Sequence, residues 1–229
     1  MVTVLPPELF NYRDLGGHSV PGGKLRTGLL FRSNAVVGLP NDIAVRLGLR
    51  TALDLREPGE KLAEPPTAGP AQVHEVELIQ ADPAAPHNLR PFTHWLAENR
   101  GHLLAEAVRV LAHEPMPTVL FCSSGKDRTG VLAALVQSAL GVAEDAVIED
   151  YARTEKLMPP DYLALALERS RRAGLPADQS LDDFGSPPDL LLAVLDGIRE
   201  RHGDAAQYLV DHGLDRSDLD RLRERLVEI

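Results

Sequence analysis

In the run Phe121-Cys122-Ser123-Ser124-Gly125-Lys126-Asp127-Arg128-Thr129-Gly130, the only cysteine of the chain stands six positions before an arginine. Five intervening residues let a backbone curl so that its N–H groups converge on one anion, and the arginine can return to clamp that anion with a two-pronged fork. A thiolate at the bottom of such a ring is placed to attack phosphorus, splitting ester cleavage into two easier steps through a cysteinyl-phosphate. In this reading Cys122 is the nucleophile, and Ser123, Ser124, Gly125, Lys126 and Arg128 bind phosphate. The Thr129 hydroxyl favours the thiolate and eases its departure in the second step. Asp127 is a candidate general acid for the leaving oxygen and then a base for water. Lys126 adds a second cation, which suits a substrate with more than one phosphate or an acidic headgroup.

The flanking sequence must hold this loop in place. Thr118 to Cys122 is short, apolar and β-branched after Pro115 and Pro117, which reads as a buried strand. Thr129 to Leu140 is Ala/Leu-rich and is followed by Gly141, which reads as a helix with its stop. A strand, a glycine-bearing turn and a helix start put the loop at the positive end of a helix dipole, where phosphate binds and a thiolate is favoured. A nucleotide-type phosphate loop would need glycine at Leu120 and Ser or Thr at Asp127, so that reading fails on spacing. No Gly-x-Ser-x-Gly elbow offers a serine hydrolase instead.

The Gly-Lys-Asp-Arg-Thr-Gly tail resembles the signature loop of bacterial tyrosine-protein phosphatases of the lipid-phosphatase-like, dual- or triple-specificity type. Further segments are similar to that family: Asn11-Tyr12-Arg13-Asp14-Leu15-Gly16-Gly17, Leu30-Phe31-Arg32-Ser33-Asn34, Leu49 to Arg56, and Tyr208-Leu209 with the final charged helix. The resemblance therefore extends over nearly the whole chain. It implies a cysteine-phosphatase-like α/β fold and hydrolysis of phosphotyrosine, often of phosphoserine or phosphothreonine, and in some members of phosphoinositides. It also favours Asp127 as the acid.

Two features depart from the pattern. The family usually places His directly before the cysteine, and here that position is Phe121. An apolar neighbour removes a hydrogen bond and desolvates the thiolate, so activity is expected to rise at higher pH. A phosphate-binding pseudophosphatase is the alternative this opens, and a nucleotide or sugar phosphatase is another that the same loop could serve. Ordinary tyrosine phosphatases carry the acid on a Trp-Pro-Asp loop, and the only tryptophan here lies in His94-Trp95-Leu96. Asp82-Pro83, forty residues before Cys122 and after the alternating run Val73 to Ile79, is the rival acid.

The rest of the chain reads as one α/β domain over 1–229, with a central mostly parallel sheet, flanking helices, a helical flap over about 157–188 and extra C-terminal helices. Expected elements are a helix from Asn41 to Gly48, a strand from Thr51 to Leu55, loop over 58–70, helix over 90–113 divided near Gly101, and helix from Glu144 to Met158. Ser186 and Asp189 suggest a capped start for a helix through Arg201, and a last helix runs from about Asp215 to Val227. Asp54 and Arg56, at a strand end, could support the site or simply pair with each other. Arg13 and Asp14 could touch substrate, but they read rather as a buried ion pair that ties the N-terminus to the core.

A net charge of −10 disfavours nucleic acid as a partner. The expected substrate, a phosphorylated protein or a phosphoinositide, is what the family resemblance implies. Eight histidines form no ligand spacing, so neither a metal nor another cofactor is expected. One cysteine excludes an internal disulfide and suits a reducing compartment. With no signal-peptide pattern and no apolar run of membrane-spanning length, a cytoplasmic location is expected.

Overall fold

The computed structural model describes residues 9–38, 40–159, 161, 162, 164, 168 and 185–229. Most of the flap expected over 157–188 lies outside the described residues. The sheet that carries the loop has five strands in the order β1 (Arg13–Asp14), β4 (Leu30–Ser33), β7 (Thr118–Phe121), β5 (Thr51–Asp54) and β6 (Gln72–Glu75). The last four are parallel to one another, and β1 runs antiparallel to β4 at the edge. A smaller antiparallel sheet joins β2 (Ser19–Val20), β3 (Gly23–Leu25) and β8 (Val227–Glu228), tying the N-terminal hairpin to the end of the chain.

Register explains where chemistry can sit. Phe121 lies opposite Ser33 on one side and Asp54 on the other, so three parallel strands end level. The residues that follow them emerge together at the carboxyl edge of the sheet, where α/β folds build their sites. Strand β7 is buried on both faces, as its continuous apolar run demands. Val119 and Phe121 point into a smaller core with Ile43, Ala44 and Ala52. Leu120 and Cys122 point into the larger core on the opposite face. A Leu120→Ala change would remove that filling at a cost of about 2–5 kcal/mol.

The larger core is built by helices. α3 (Leu89–Asn99), α4 (Gly101–His113), α5 (Asp127–Ala139) and α6 (Glu144–Leu157) join α7 (Pro188–His202), α8 (Ala205–Asp211) and α9 (Arg216–Leu226) on that side. Every residue of α5 from Arg128 to Gln137 is buried, so the helix leaving the loop is the central one of the layer. The opposite face holds α1 (Asn41–Leu47), which ends on Gly48 in the left-handed conformation.

Most expected elements form within a residue or two of their predicted bounds, including the break at Gly101. Three readings change. The segment after Arg56 contains a helix, α2 (Pro58–Ala63), where its Pro/Gly content reads as loop. Proline takes the first turn, where its missing N–H costs nothing, and Glu57 with Glu60 closes a reciprocal capping box. α8 was not anticipated; its start is capped by Asp204, which accepts from Gln207 N at 2.7 Å. Ser186 does not cap α7: its hydroxyl accepts from Glu155 N at 3.0 Å and donates to Ala152 O at 3.3 Å, joining α7 to α6.

Candidate active site

Each carbonyl from Ser123 to Lys126 is accounted for by a donor outside the loop or in its helix. Ser123 O accepts from Ala35 N at 3.0 Å, and Ser124 O accepts from the Asn11 side-chain amide at 3.0 Å. Gly125 O accepts from that same amide at 3.0 Å and from Arg32 at 2.7 Å. Lys126 O takes Gly130 N at 2.7 Å as α5 begins. In a planar trans peptide the carbonyl and the following N–H point in opposite directions, so holding these carbonyls from behind leaves the following N–H groups facing the other way. That is the arrangement an anion-binding ring needs.

Gly125 is required twice over. Its φ is +67°, and a Cβ there would sit 2.1 Å from Ser33 O. Gly130 is required by packing alone, since a Cβ would meet the Tyr151 ring at 2.8 Å. The loop is thus pressed against the end of β4, and the start of α5 against α6.

Cys122 is a free, buried thiol at the end of β7. Arg128, almost wholly buried, comes back over the loop on the first turn of α5. Its guanidinium donates to both oxygens of Glu60, at 2.7 and 2.9 Å, to Ser123 Oγ at 3.2 Å and to Leu55 O at 3.3 Å. Ser123 Oγ in turn donates to Glu60. Burial pushes the Arg128 guanidinium toward losing its proton, but Glu60, Cys122 and Asp127 outweigh it and raise its pKa. Burial works against ionisation of Glu60 too, yet Arg128 and Ser123 prevail and bring its carboxyl down to about 2. Both groups are therefore charged across the neutral range.

Glu60 is aimed by its helix start. Its carboxylate accepts from Glu57 N at 2.9 Å, while Glu57 accepts from Ile79 N at 3.0 Å and Ala81 N at 2.9 Å. One two-carboxylate device thereby links the loop after β5, the turn near residue 80 and Arg128.

Asp127 opens α5, with Oδ1 buried, 3.4 Å from Lys126 Nζ and without a hydrogen-bond donor among the described residues. Thr129 Oγ1 is buried in the same condition, one residue past Arg128. Asp82 is otherwise engaged. It accepts from Ala84 N at 2.8 Å and pairs with Arg100, and these bonds hold its carboxyl below the usual range.

Asp54 and Arg56 pair with each other, fully buried, at 2.8 Å. Arg56 also donates to Glu64 O at 3.0 Å and lies over the Phe121 ring, 5.5 Å from its centroid. Phe121 is therefore a core residue of β7 that carries a cation on its face. Arg13 and Asp14 do not pair with each other. Adjacent strand residues point to opposite faces: Arg13 reaches Asp150 at 2.6 Å, while Asp14 receives Gly16 N at 2.8 Å and Gly28 N at 2.6 Å.

Comparison with known proteins decides the family. Residues 6–228 match the family model described as tyrosine phosphatase family. The chain belongs to the tyrosine phosphatase family. A protein of Cupriavidus necator named as a tyrosine-protein phosphatase is 30% identical, the match covering 89% of this chain and 77% of the relative. The triple specificity protein phosphatase PtpB of Mycobacterium tuberculosis is 23% identical, over 95% of this chain and 96% of its own. Among solved structures, the core catalytic domain of the PP-IP phosphatase SIW14 from S. cerevisiae is 20% identical, covering 76% of this chain and 98% of that one, with a TM-score of 0.41. The chain is accordingly a phosphatase of this family, with an α/β architecture built on a mostly parallel sheet.

Sequence reasoning missed Glu60 and the groups behind the loop. The signal for Glu60 was the capping box Glu57-Pro58-Gly59-Glu60, hidden by its proline and glycine. Asp150 carries no local signal, because its partners lie more than a hundred residues away. Among the described residues no His, Cys, Asp and Glu side chains gather into a metal-holding group, and no helix is long and apolar enough to cross a membrane.

Proposed function

We propose that the protein hydrolyses phosphate monoesters through a cysteinyl-phosphate, with phosphotyrosine in proteins as the principal substrate and phosphoserine, phosphothreonine and phosphoinositides as further ones. The observation that carries this reading is the loop itself: carbonyls held from behind, Cys122 at its base and Arg128 fixed by Glu60. Cys122 Sγ attacks phosphorus and the bond to the ester oxygen breaks. Asp127 gives its proton to that oxygen. Backbone N–H groups from the loop and Arg128 carry the charge of the transferring group. Water then attacks phosphorus, Asp127 takes its proton and the thiolate leaves, assisted by Thr129.

Asp127 is preferred over Asp82 because it stands in the loop and its Oδ1 makes no hydrogen bond, its ion pair to Lys126 lying at 3.4 Å, whereas Asp82 is hydrogen-bonded by both Arg100 and Ala84 N. A bound carboxylate with a lowered pKa is a poor proton donor. Asp127→Ala and Asp82→Ala, assayed on a phosphotyrosine peptide, separate the two. Loss confined to Asp82→Ala would reassign the acid. Phosphate release from phosphopeptides, phosphoinositides and nucleotides measures substrate breadth, and nucleotide turnover above that of phosphotyrosine would make this a small-molecule phosphatase.

A further inference from the structure

Behind the loop lies a buried charge cluster that none of the steps above uses. Asp150, on α6, accepts from Arg13 Nε at 2.6 Å and from Arg32 Nη1 at 2.7 Å. Its own carbonyl takes Arg13 Nη2 at 2.8 Å, and Thr154 Oγ1 takes the same nitrogen at 3.0 Å. Arg13 also grips Asn11, through the backbone carbonyl at 3.1 Å and through the side-chain oxygen. The free ends of this cluster are Asn11 Nδ2 and Arg32 Nη2, and both terminate on loop carbonyls. Asn11, Arg32 and Asp150 are all at most 6% exposed.

We propose that Asn11, Arg13, Arg32 and Asp150 act as one positioning unit that sets the direction of the phosphate-binding N–H groups; this rests on the loop being the phosphate site. Stability alone does not account for burying three charges together, because such clusters seldom repay their desolvation. What they supply is direction. Asp150 orients two guanidinium groups, one guanidinium orients the Asn11 amide, and the two ends fix the peptide planes after Ser124 and Gly125. Burial pushes the Asp150 carboxyl up, but Arg32 and Arg13 bring it below its ordinary value, so it remains an anion. Two cations on one carboxylate leave a net positive charge beneath the loop, which favours a dianion above it.

Asn11 makes the test sharp. Asn11→Asp keeps the size and the oxygen that Arg13 grips, but replaces the donor to Ser124 O and Gly125 O by a second acceptor. A packing role therefore predicts Asn11→Asp to be milder than Asn11→Ala, and a positioning role predicts it to be at least as severe. The readouts are kcat and KM on p-nitrophenyl phosphate, the inhibition constant of orthovanadate, and Tm. Misplacing a reacting group by about 1 Å costs about 100-fold in rate, and a loss of that order in kcat/KM is expected, with vanadate affinity falling alongside. Wild-type kcat/KM and vanadate affinity in Asn11→Asp overturn the proposal. If Asn11→Asp does not fold, Asn11→Ala and Arg32→Lys decide on the same readouts: parallel losses support the unit, and a lowered Tm with unchanged vanadate affinity overturns it. Cys122→Ser is measured beside them. Turnover that survives Cys122→Ser defeats the phosphatase mechanism, whereas turnover lost there but intact in the Asn11 variants defeats only the positioning unit.

Discussion

The phosphate loop has two sides, and they are held by opposite kinds of chemistry. Behind it, Asn11, Arg13, Arg32 and Asp150 are sealed in the core; Asn11 and Arg32 donate to loop carbonyls, and Arg13 and Asp150 hold those two donors in place. In front, Arg128 is held by Glu60, whose side chain is 32% exposed, and by the hydroxyl of Ser123. The rear contacts fix the shape of the ring and have no reason to change during turnover. The front contact keeps a buried guanidinium charged and aligned through a carboxylate that solvent partly reaches. The loop is thus tied to the buried core on one side and to a part-exposed carboxylate on the other.

The largest effect on the front side should come from Arg128→Ala, which removes the clamp itself. A loss of about 10³-fold or more in kcat is expected, as for other arginines that neutralise transferring phosphoryl groups. A loss under tenfold would mean that the backbone ring alone carries the charge. Asp127→Ala comes next. About 10²–10⁴-fold should be lost on phosphotyrosine, and less on a substrate with a good leaving group, because protonation matters only when the leaving oxygen is basic. Equal losses on both substrates would remove Asp127 from the role of acid.

Glu60→Gln tests the front contact directly. It keeps the shape but halves the fork on Arg128, so kcat/KM should fall about tenfold, which corresponds to about 1.4 kcal/mol. The pH dependence has a definite sign. The Glu60 carboxyl sits at about 2 in the fold against 4.5 ordinarily. Its contribution to stability is therefore complete above about pH 4.5 and is lost as pH falls through about 2. Urea midpoints of wild type and Glu60→Gln should differ by a constant amount near neutrality and converge between those two values. A gap that persists at pH 2 would assign the effect to something other than the ion pair.

The smallest expected effect is that of Phe121→His. A ring nitrogen placed before the cysteine adds a donor, so iodoacetamide should inactivate the variant at lower pH than the wild type. The substitution also removes an apolar ring from the core beneath Arg56, so a lower Tm should accompany it. An unchanged inactivation profile would show that residue 121 does not govern the thiolate.

Much of the front side was legible in the sequence because its parts are contiguous. Cys122 to Gly130 carries strand end, loop and helix start in one stretch, and the structure forms all three there. The strands at Thr51 and Thr118 were legible because parallel strands buried on both faces must be continuously apolar. α2 was not, since proline and glycine at a helix start resemble those of a loop until the capping carboxylates are paired. The rear side was illegible for a different reason. Asn11, Arg32 and Asp150 meet only after the sheet and α6 have formed, and nothing local distinguishes Asp150 from the other acids of its helix. Arg13 illustrates the same limit, having a neighbour of opposite charge that the strand turns away from it.

The most direct test of the whole account is to react wild type and Cys122→Ser with p-nitrophenyl phosphate, without added metal, and to search the quenched protein for phosphate on residue 122. The account predicts metal-independent turnover in the wild type, a trapped cysteinyl-phosphate at Cys122, and no turnover in the variant. Turnover that survives the substitution, or that begins only when a metal is supplied, would contradict it.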